Sequence, residues 1–112
     1  ATALAAQQVD LLLGLAWTAA AMDTRLTAGG SISCVLSSCN ASYIDFLDAN
    51  GLVLTGVTPS NAASNPAVFF IRRWEIANTT STLKGLRVRV EGKAVGRDLS
   101  PSSALATYKA QQ

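Results

Sequence analysis

The chain has 112 residues, of which 49% are hydrophobic and 14% are charged, and its formal net charge is +2. This length fits one compact domain, and the apolar composition excludes a disordered chain, because disordered segments are poor in apolar residues. Histidine is absent, which excludes the Ser-His-Asp and Cys-His arrangements of many hydrolases. The sequence also contains no glycine-rich phosphate-binding motif. We therefore expect a single domain, residues 1–112, that is not an enzyme and has no cofactor.

The first 28 residues have the composition and periodicity of one long helix. They contain no proline, and apolar residues recur at spacings of three, four and seven, as on one face of a helix. Leu4, Leu11, Leu15, Met22 and Leu26 form this stripe, which we call the predicted assembly stripe, and Ala19 continues the same periodicity. Gly29-Gly30 is predicted to end the helix, since glycine adopts the left-handed C-cap at little cost. Either the stripe packs only within the domain, or one side of it also joins a partner helix.

Cys34 and Cys39 are the only cysteines, and they are predicted to lie in a loop. Without histidine they do not complete the usual four-ligand zinc site, and their spacing differs from the C-x-x-C of thioredoxin-like redox pairs. One interpretation is a small loop closed by a disulfide, which implies export to an oxidising compartment. The other is a pair of unpaired buried thiols.

Residues 29–66 are predicted to form a helix-to-sheet loop region that contains a hairpin. Two β-prone runs, residues 43–47 and 52–55, flank Asn50-Gly51, a turn signal because both residues tolerate positive φ. Asp45 and Asp48 lie beside this turn. Capping the turn is their ordinary role, and a weak calcium site or an acid–base pair is the alternative.

Residues 67–112 are predicted to form the main antiparallel sheet. Apolar and polar residues alternate over 68–77 and 86–91, and residues 104–109 are typical of a last edge strand. Period-two alternation indicates one buried and one solvated face. The predicted buried side carries Val68, Phe70, Trp74 and Ile76, interrupted by Arg72. The order of elements predicts an α+β fold, in which a long N-terminal helix packs on an antiparallel β-sheet of about four strands.

Positive charge is concentrated in this sheet region. Between positions 72 and 97 there are seven basic and two acidic residues, a local net charge of +5, so the rest of the chain carries −3. One interpretation is a solvated sheet face with Arg–Glu pairs across the strands. The alternative is a surface that binds an anion or DNA, because arginine makes paired hydrogen bonds to phosphate. The residues of this predicted basic face are Arg73, Arg87, Arg89, Lys93 and Arg97.

Three short segments, in this order, carry a resemblance to a known family. They are residues 72–76 (RRWEI), 83–90 (LKGLRVRV) and 105–107 (LAT). With the N-terminal helix, they resemble the type IV pilin-like family, in particular the PilV-like minor pilins and the GspI-type minor pseudopilins of type II secretion. The family's hydrophobic anchor is not part of this sequence, and Gly92 stands where the family often has an aromatic residue. Because the chain opens within helix-like sequence, we expect further residues upstream of Ala1.

The resemblance implies a structural minor subunit of a type IV pilus that assembles through its N-terminal helix and primes or tunes the filament for adhesion, motility or DNA uptake. Its partners would be other pilin or pseudopilin subunits and the inner membrane, which it would reach through the upstream segment. It would be exported, anchored facing the periplasm, and then incorporated in a surface pilus or a pseudopilus. The alternatives are a minor pseudopilin, a competence pilin that binds DNA through the basic face, and a separate extracellular binding domain.

Overall fold

The computed structural model describes residues 2–93 and 102–112 and contains one N-terminal helix and a five-stranded antiparallel sheet. Helix α1 spans Thr2–Gly14. The strands are β1 (Gly29–Gly30), β2 (Ile44–Leu47), β3 (Phe70–Thr80), β4 (Leu83–Gly92) and β5 (Ser103–Ala110). The predicted α+β class is confirmed, and the sheet has one strand more than the four expected.

Strand β3 pairs with most of the sheet. Its first half pairs with β2 and a later stretch pairs with β1, while its other side pairs with β4, which in turn pairs with the edge strand β5. The predicted hairpin around residues 48–51 is present as a turn, in which the Asp48 amide donates to the Leu52 carbonyl at 2.9 Å. Its second arm makes only an isolated bridge at Val53. Of the turn pair, only Gly51 has positive φ.

The helix is shorter than the sequence predicts, so the predicted helix over residues 1–28 is wrong beyond Gly14. The chain then folds into a tight turn. The Thr18 amide donates to the Ala21 carbonyl at 2.8 Å, and the Asp23 amide donates to the Ala16 carbonyl at 2.8 Å. The Thr18 hydroxyl also accepts from two following amides. Such local side-chain bonds offer the backbone an alternative to helix.

Long-range contacts hold this early helix end. The Lys109 ammonium, on β5, donates to the Leu13 carbonyl, where a cation interacts favourably with the helix dipole. The buried Trp17 ring lies 5.2 Å from the Lys84 ammonium of β4. The Trp17 carbonyl accepts from the Gln112 amide at 2.9 Å. The ends of β4 and β5 therefore determine where α1 stops.

The prediction that Gly29-Gly30 caps the helix is wrong. These two residues form β1, which pairs with β3. Gly30 has φ +80°, and a Cβ atom there would approach the Trp74 carbonyl oxygen to 2.3 Å and the Tyr43 Cβ to 2.7 Å. The position therefore requires glycine both for its dihedral angle and for the close approach of two chain segments.

The main core lies between α1 and one face of the sheet. Trp74 and Ile76 of β3 lie on this face, as the alternation predicts, and Arg72 bonds the helix backbone there. The core comprises Ala5, Val9, Leu12, Trp17, Leu26, Trp74, Ile76, Leu86, Val88 and Val90. It contains the inner side of α1 and alternate residues of β4, of which Val88 and Val90 are fully buried.

The opposite face was predicted to be solvated, and this is correct only for its β4–β5 half. Over β2 and β3 the loop region covers it and forms a second core of Cys39, Ile44, Phe46, Ala62, Val68 and Ile71. Val68 lies in this second core and not with Phe70, because β3 begins only at Phe70 and the alternation does not extend upstream of it. We call this side of the sheet the outer face.

Candidate functional site

Cys34 and Cys39 form a disulfide, with a Cα–Cα distance of 5.4 Å. The predicted disulfide is thus present, and the alternative of two unpaired thiols is wrong. The Cys39 side of the loop packs in the second core, so the bridge ties the loop region to the outer face of the sheet. Closing a loop this short stabilises a domain by about 2 kcal/mol in the chain-entropy account.

The residues of the predicted assembly stripe do not share one helix face, because α1 ends at Gly14. Leu26 is fully buried in the main core, and Leu4 and Leu15 are partly buried against it. Met22 lies in the turn after the helix and is 39% exposed. Leu11 is 46% exposed on α1 itself. Leu11 is therefore the stripe residue that the helix presents most openly to solvent.

The predicted basic face is partly realised, since Arg73, Arg87 and Arg89 all lie on the outer face. Arg73 pairs with Arg89 across β3 and β4, and Glu75 pairs with Arg87. The Arg87 guanidinium donates to Glu75 at 3.0 Å. Glu91 accepts from both Arg73 and Arg89. Cross-strand pairing, one of the two sequence interpretations, thus accounts for much of this charge.

Arg73 is buried, contrary to the prediction of a solvated position, because the loop region lies over it. Its exposure is 6%, and its Nε–H has no hydrogen-bond partner among the described residues. Burial, and secondarily the neighbouring Arg89 guanidinium, lower the pKa of Arg73 from its ordinary value. Arg73 is therefore a structural cation and is not accessible to a large ligand.

Lys93 and Arg97 are the two remaining residues of the predicted face, and the structure describes only Lys93. The Lys93 ammonium donates to the carbonyls of Asn65 and Ala62, so it anchors the loop that precedes β3. Arg97 lies outside the described residues. Among the described residues of the face, Arg87 is the most exposed cation, with 56% of its side chain exposed. The Arg89 side chain is 33% exposed and also donates to the Ile32 carbonyl at 3.2 Å.

Tyr108 was not predicted to belong to this face. It is 64% exposed on β5, and together with Arg87 it lines an open cleft of about 300 Å³ whose other walls are Gly85, Leu86, Ala106 and Thr107. In the β4–β5 register Tyr108 pairs with Gly85 and Ala106 pairs with Arg87. The alternation within each strand could have placed Tyr108 on this side, but only the register brings it next to Arg87.

The carboxylates beside the predicted hairpin do not form a shared site. Asp45 makes a two-point ion pair with Arg72, at 2.9 and 2.6 Å. Asp48 accepts from the amides of Asn50 and Leu52 and so caps the turn, its ordinary role. Within residues 2–93 and 102–112 no three His, Cys, Asp or Glu side chains come close enough to hold a metal ion.

Comparison with protein-family models, with curated proteins and with solved structures finds no match for this chain. In the described part of the chain, no helix has both the length and the hydropathy needed to cross a bilayer. Function must therefore be inferred from the geometry of the helix, the sheet and their side chains.

Proposed function

We propose that this chain is a structural, non-enzymatic subunit of a type IV pilin-like filament, a minor pilin that primes or tunes the assembly. The arrangement of one N-terminal helix on an antiparallel sheet, with a small disulfide loop beside it, is compatible with the pilin-like fold. The resemblance of residues 72–76, 83–90 and 105–107 supports the same family. On this proposal an upstream segment anchors the chain in the inner membrane before assembly.

The observation that carries the proposal is the outward position of Leu11. The inner side of α1 is used by Ala5, Val9 and Leu12, which are buried against the sheet. Leu11 lies on the flank of that buried side, and nearly half of its surface is in water. Burying such a side chain between subunits contributes roughly 25 cal/mol per Å² of apolar surface. The proposed assembly surface is therefore the outer side of α1, and Leu26 has no part in it.

Leu11→Asp should lower incorporation into filaments at least tenfold, because an unpaired carboxylate in an apolar helix bundle is strongly disfavoured. The fold itself should lose no more than about 1 kcal/mol, since the site is half exposed and only the helix dipole opposes the new charge. The measurement is the amount of protein in the sheared filament fraction of cells that express the full-length precursor.

Ala63→Asp is the matched control, because it adds the same charge at an exposed position away from α1, in the short turn Ala62–Ser64. It should assemble normally. Equal incorporation of Leu11→Asp and the unsubstituted protein would overturn the role of the helix. The precursor sequence separates the remaining possibilities: a short basic leader and a hydrophobic run support a pilin or pseudopilin, while an ordinary secretory signal peptide favours a separate binding domain.

A second candidate function, binding of DNA during uptake, is favoured by the position of Tyr108 beside Arg87. Arginine recognises phosphate, and an exposed aromatic ring offers a stacking surface to bases of a single strand. Both side chains lie on the open half of the outer face, next to the same 300 Å³ cleft. The buried Arg73 would contribute only by its field and by positioning Arg89.

Tyr108→Ala should weaken binding of a single-stranded oligonucleotide about 5- to 100-fold, the usual range for a lost base–aromatic stack. Arg87→Ala should reduce the salt dependence of the affinity by about one phosphate contact. Fluorescence anisotropy over a salt series measures both. Arg25→Ala is the control, because it removes the same charge from an exposed position elsewhere. If all three variants weaken binding equally, the binding is unspecific attraction to positive charge and this candidate fails.

A further inference from the structure

A polar cleft of about 400 Å³ shares no lining residue with the assembly surface or the basic face. It opens between two short 3-10 turns, Thr24–Leu26 and Ala41–Tyr43. Its walls are Thr24, Arg25, Thr27, Asn40, Ser42 and Tyr43. The volume falls in the range of small-molecule sites in proteins, roughly 300–1,000 Å³, and nothing described so far for this molecule uses it.

The walls of the cleft are held in place by short hydrogen bonds. The Asp23 carboxylate caps the first turn and accepts from the Arg25 amide at 2.9 Å. The Asn40 side-chain oxygen accepts from the Ser42 amide at 2.9 Å and caps the second turn. The Tyr43 hydroxyl donates to the Thr27 carbonyl at 2.8 Å and joins the two turns. A site held in this way loses little conformational freedom when a ligand binds.

Several polar groups of the walls are left available. The hydroxyls of Thr24 and Ser42 and the side-chain NH₂ of Asn40 have no hydrogen-bond partner within the described part of the chain. Hydroxyls both donate and accept, and the amide NH₂ donates twice. The cleft therefore offers a mixed set of donors and acceptors to a ligand that itself both donates and accepts.

The cleft is close to electrically neutral, although it contains an arginine. The Arg25 Nε and Nη2 both donate to the Asp23 carboxylate, at 3.0 and 2.9 Å. These bonds to Arg25 lower the pKa of Asp23 to about 2, so the carboxylate stays ionised at neutral pH and the two charges offset each other. A phosphate or carboxylate ligand would therefore gain little electrostatic attraction from Arg25, and it would lose part of the hydration of its own charge on binding. A neutral polar ligand carries no charge and does not pay this desolvation cost.

We propose that this cleft binds a neutral carbohydrate residue, through the hydroxyls of Thr24 and Ser42 and the amide of Asn40. A sugar presents adjacent hydroxyls that donate and accept, and it matches the mixed, uncharged lining of the cleft. The Tyr43 ring, held against Gly29 and Gly30, forms an aromatic part of the wall. The inference concerns a surface separate from Leu11 and stands or falls independently of filament assembly.

The test is a ¹H–¹⁵N NMR titration of the purified chain with three neutral probes, N-acetylglucosamine, methyl galactoside and methyl glucoside, and with inorganic phosphate. We expect at least one sugar to give saturable shifts confined to the amides of residues 23–29 and 39–44, with a Kd of roughly 1 mM. Phosphate should give no such shifts. Thr24→Val and Ser42→Ala each remove one hydroxyl and should weaken the sugar about three- to tenfold.

Thr55→Val is the matched control, because it removes an exposed hydroxyl that is not part of the cleft; it should leave the Kd unchanged. Ser42→Trp fills the cleft and should abolish binding while the remaining spectrum stays that of the folded chain. Three results would overturn the proposal: no saturable shift with any of the sugars up to about 100 mM, roughly a hundred times the expected Kd; sugar binding that Thr24→Val and Ser42→Ala do not weaken; or phosphate binding as tight as that of the best sugar.

Discussion

Asp45→Ala should lower the free energy of unfolding by about 3–5 kcal/mol, because it leaves the buried Arg72 guanidinium without its counter-charge. Arg72 is 3% exposed and lies on the helix side of β3, facing Asp45 on β2. Its remaining hydrogen bonds, to the Leu4 carbonyl and to the Gln7 side chain, are to neutral groups. The Arg72–Asp45 pair therefore links three elements, α1, β2 and β3, and its loss affects all of them.

Chemical unfolding followed by circular dichroism measures this loss, and Asp48→Ala is the comparison. Asp48 caps a turn, so its removal should cost only about 1 kcal/mol. Replacing both partners, Asp45→Leu with Arg72→Met, should recover more than half of the loss, since the cost comes from the unpaired charge and not from absence of the pair. A loss for Asp45→Ala no larger than that for Asp48→Ala would show that Arg72 finds water or another partner.

The long strands could be predicted because their signal is local. In β4 the alternation of valine and arginine lies within ten residues, and it requires no knowledge of the partner strand. The disulfide was predictable for a similar reason, since only two cysteines are present and they lie five residues apart. Turn chemistry at Gly51 was equally local, although the second arm of that hairpin forms only an isolated bridge with β2.

The length of α1 could not be predicted, because the residues that end it are far away in the chain. Local propensity favours helix well past Gly14, where alanine and leucine predominate. The short helix and the turn after it are stabilised instead by Lys84 at the start of β4, Lys109 near the end of β5 and Gln112 just after β5. Tertiary contacts override propensity here, and with the helix shortened the predicted assembly stripe is divided between the helix, the following turn and the core.

Arg72 and Arg73 show, at the candidate site, the same limit of prediction from sequence. Arg72 and Arg73 lie on opposite faces of β3, as alternation requires, yet both are buried. Their carboxylate partners, Asp45 and Glu91, come from two different strands. Only the register of the sheet identifies those pairs, and only the loop over the outer face explains why Arg73 is not solvated. The position of Tyr108 depends on the β4–β5 register in the same way.

Trp17→Ala should lower the free energy of unfolding by about 3–5 kcal/mol, the usual loss for truncating a buried aromatic side chain. This variant tests the largest departure from the sequence prediction, which is that α1 ends at Gly14. Trp17 is 6% exposed and packs in the main core, where it anchors the turn that follows α1. The substitution would open a cavity and remove the ring beside the nearly buried Lys84 ammonium. Trp17→Phe, which keeps an aromatic ring, should recover much of the loss.

Met22→Ala is the matched control, because Met22 forms the isolated bridge with Trp17 in the same turn but is 39% exposed and is not part of the main core. Met22→Ala should change the free energy of unfolding by no more than about 0.5 kcal/mol. Urea unfolding, followed by tryptophan fluorescence and by circular dichroism, measures all three variants. If Trp17→Ala costs less than about 1 kcal/mol and increases the helical signal, the turn is not anchored in the core and α1 extends beyond Gly14, which would also return Leu15 and Met22 to a single helix face with Leu11.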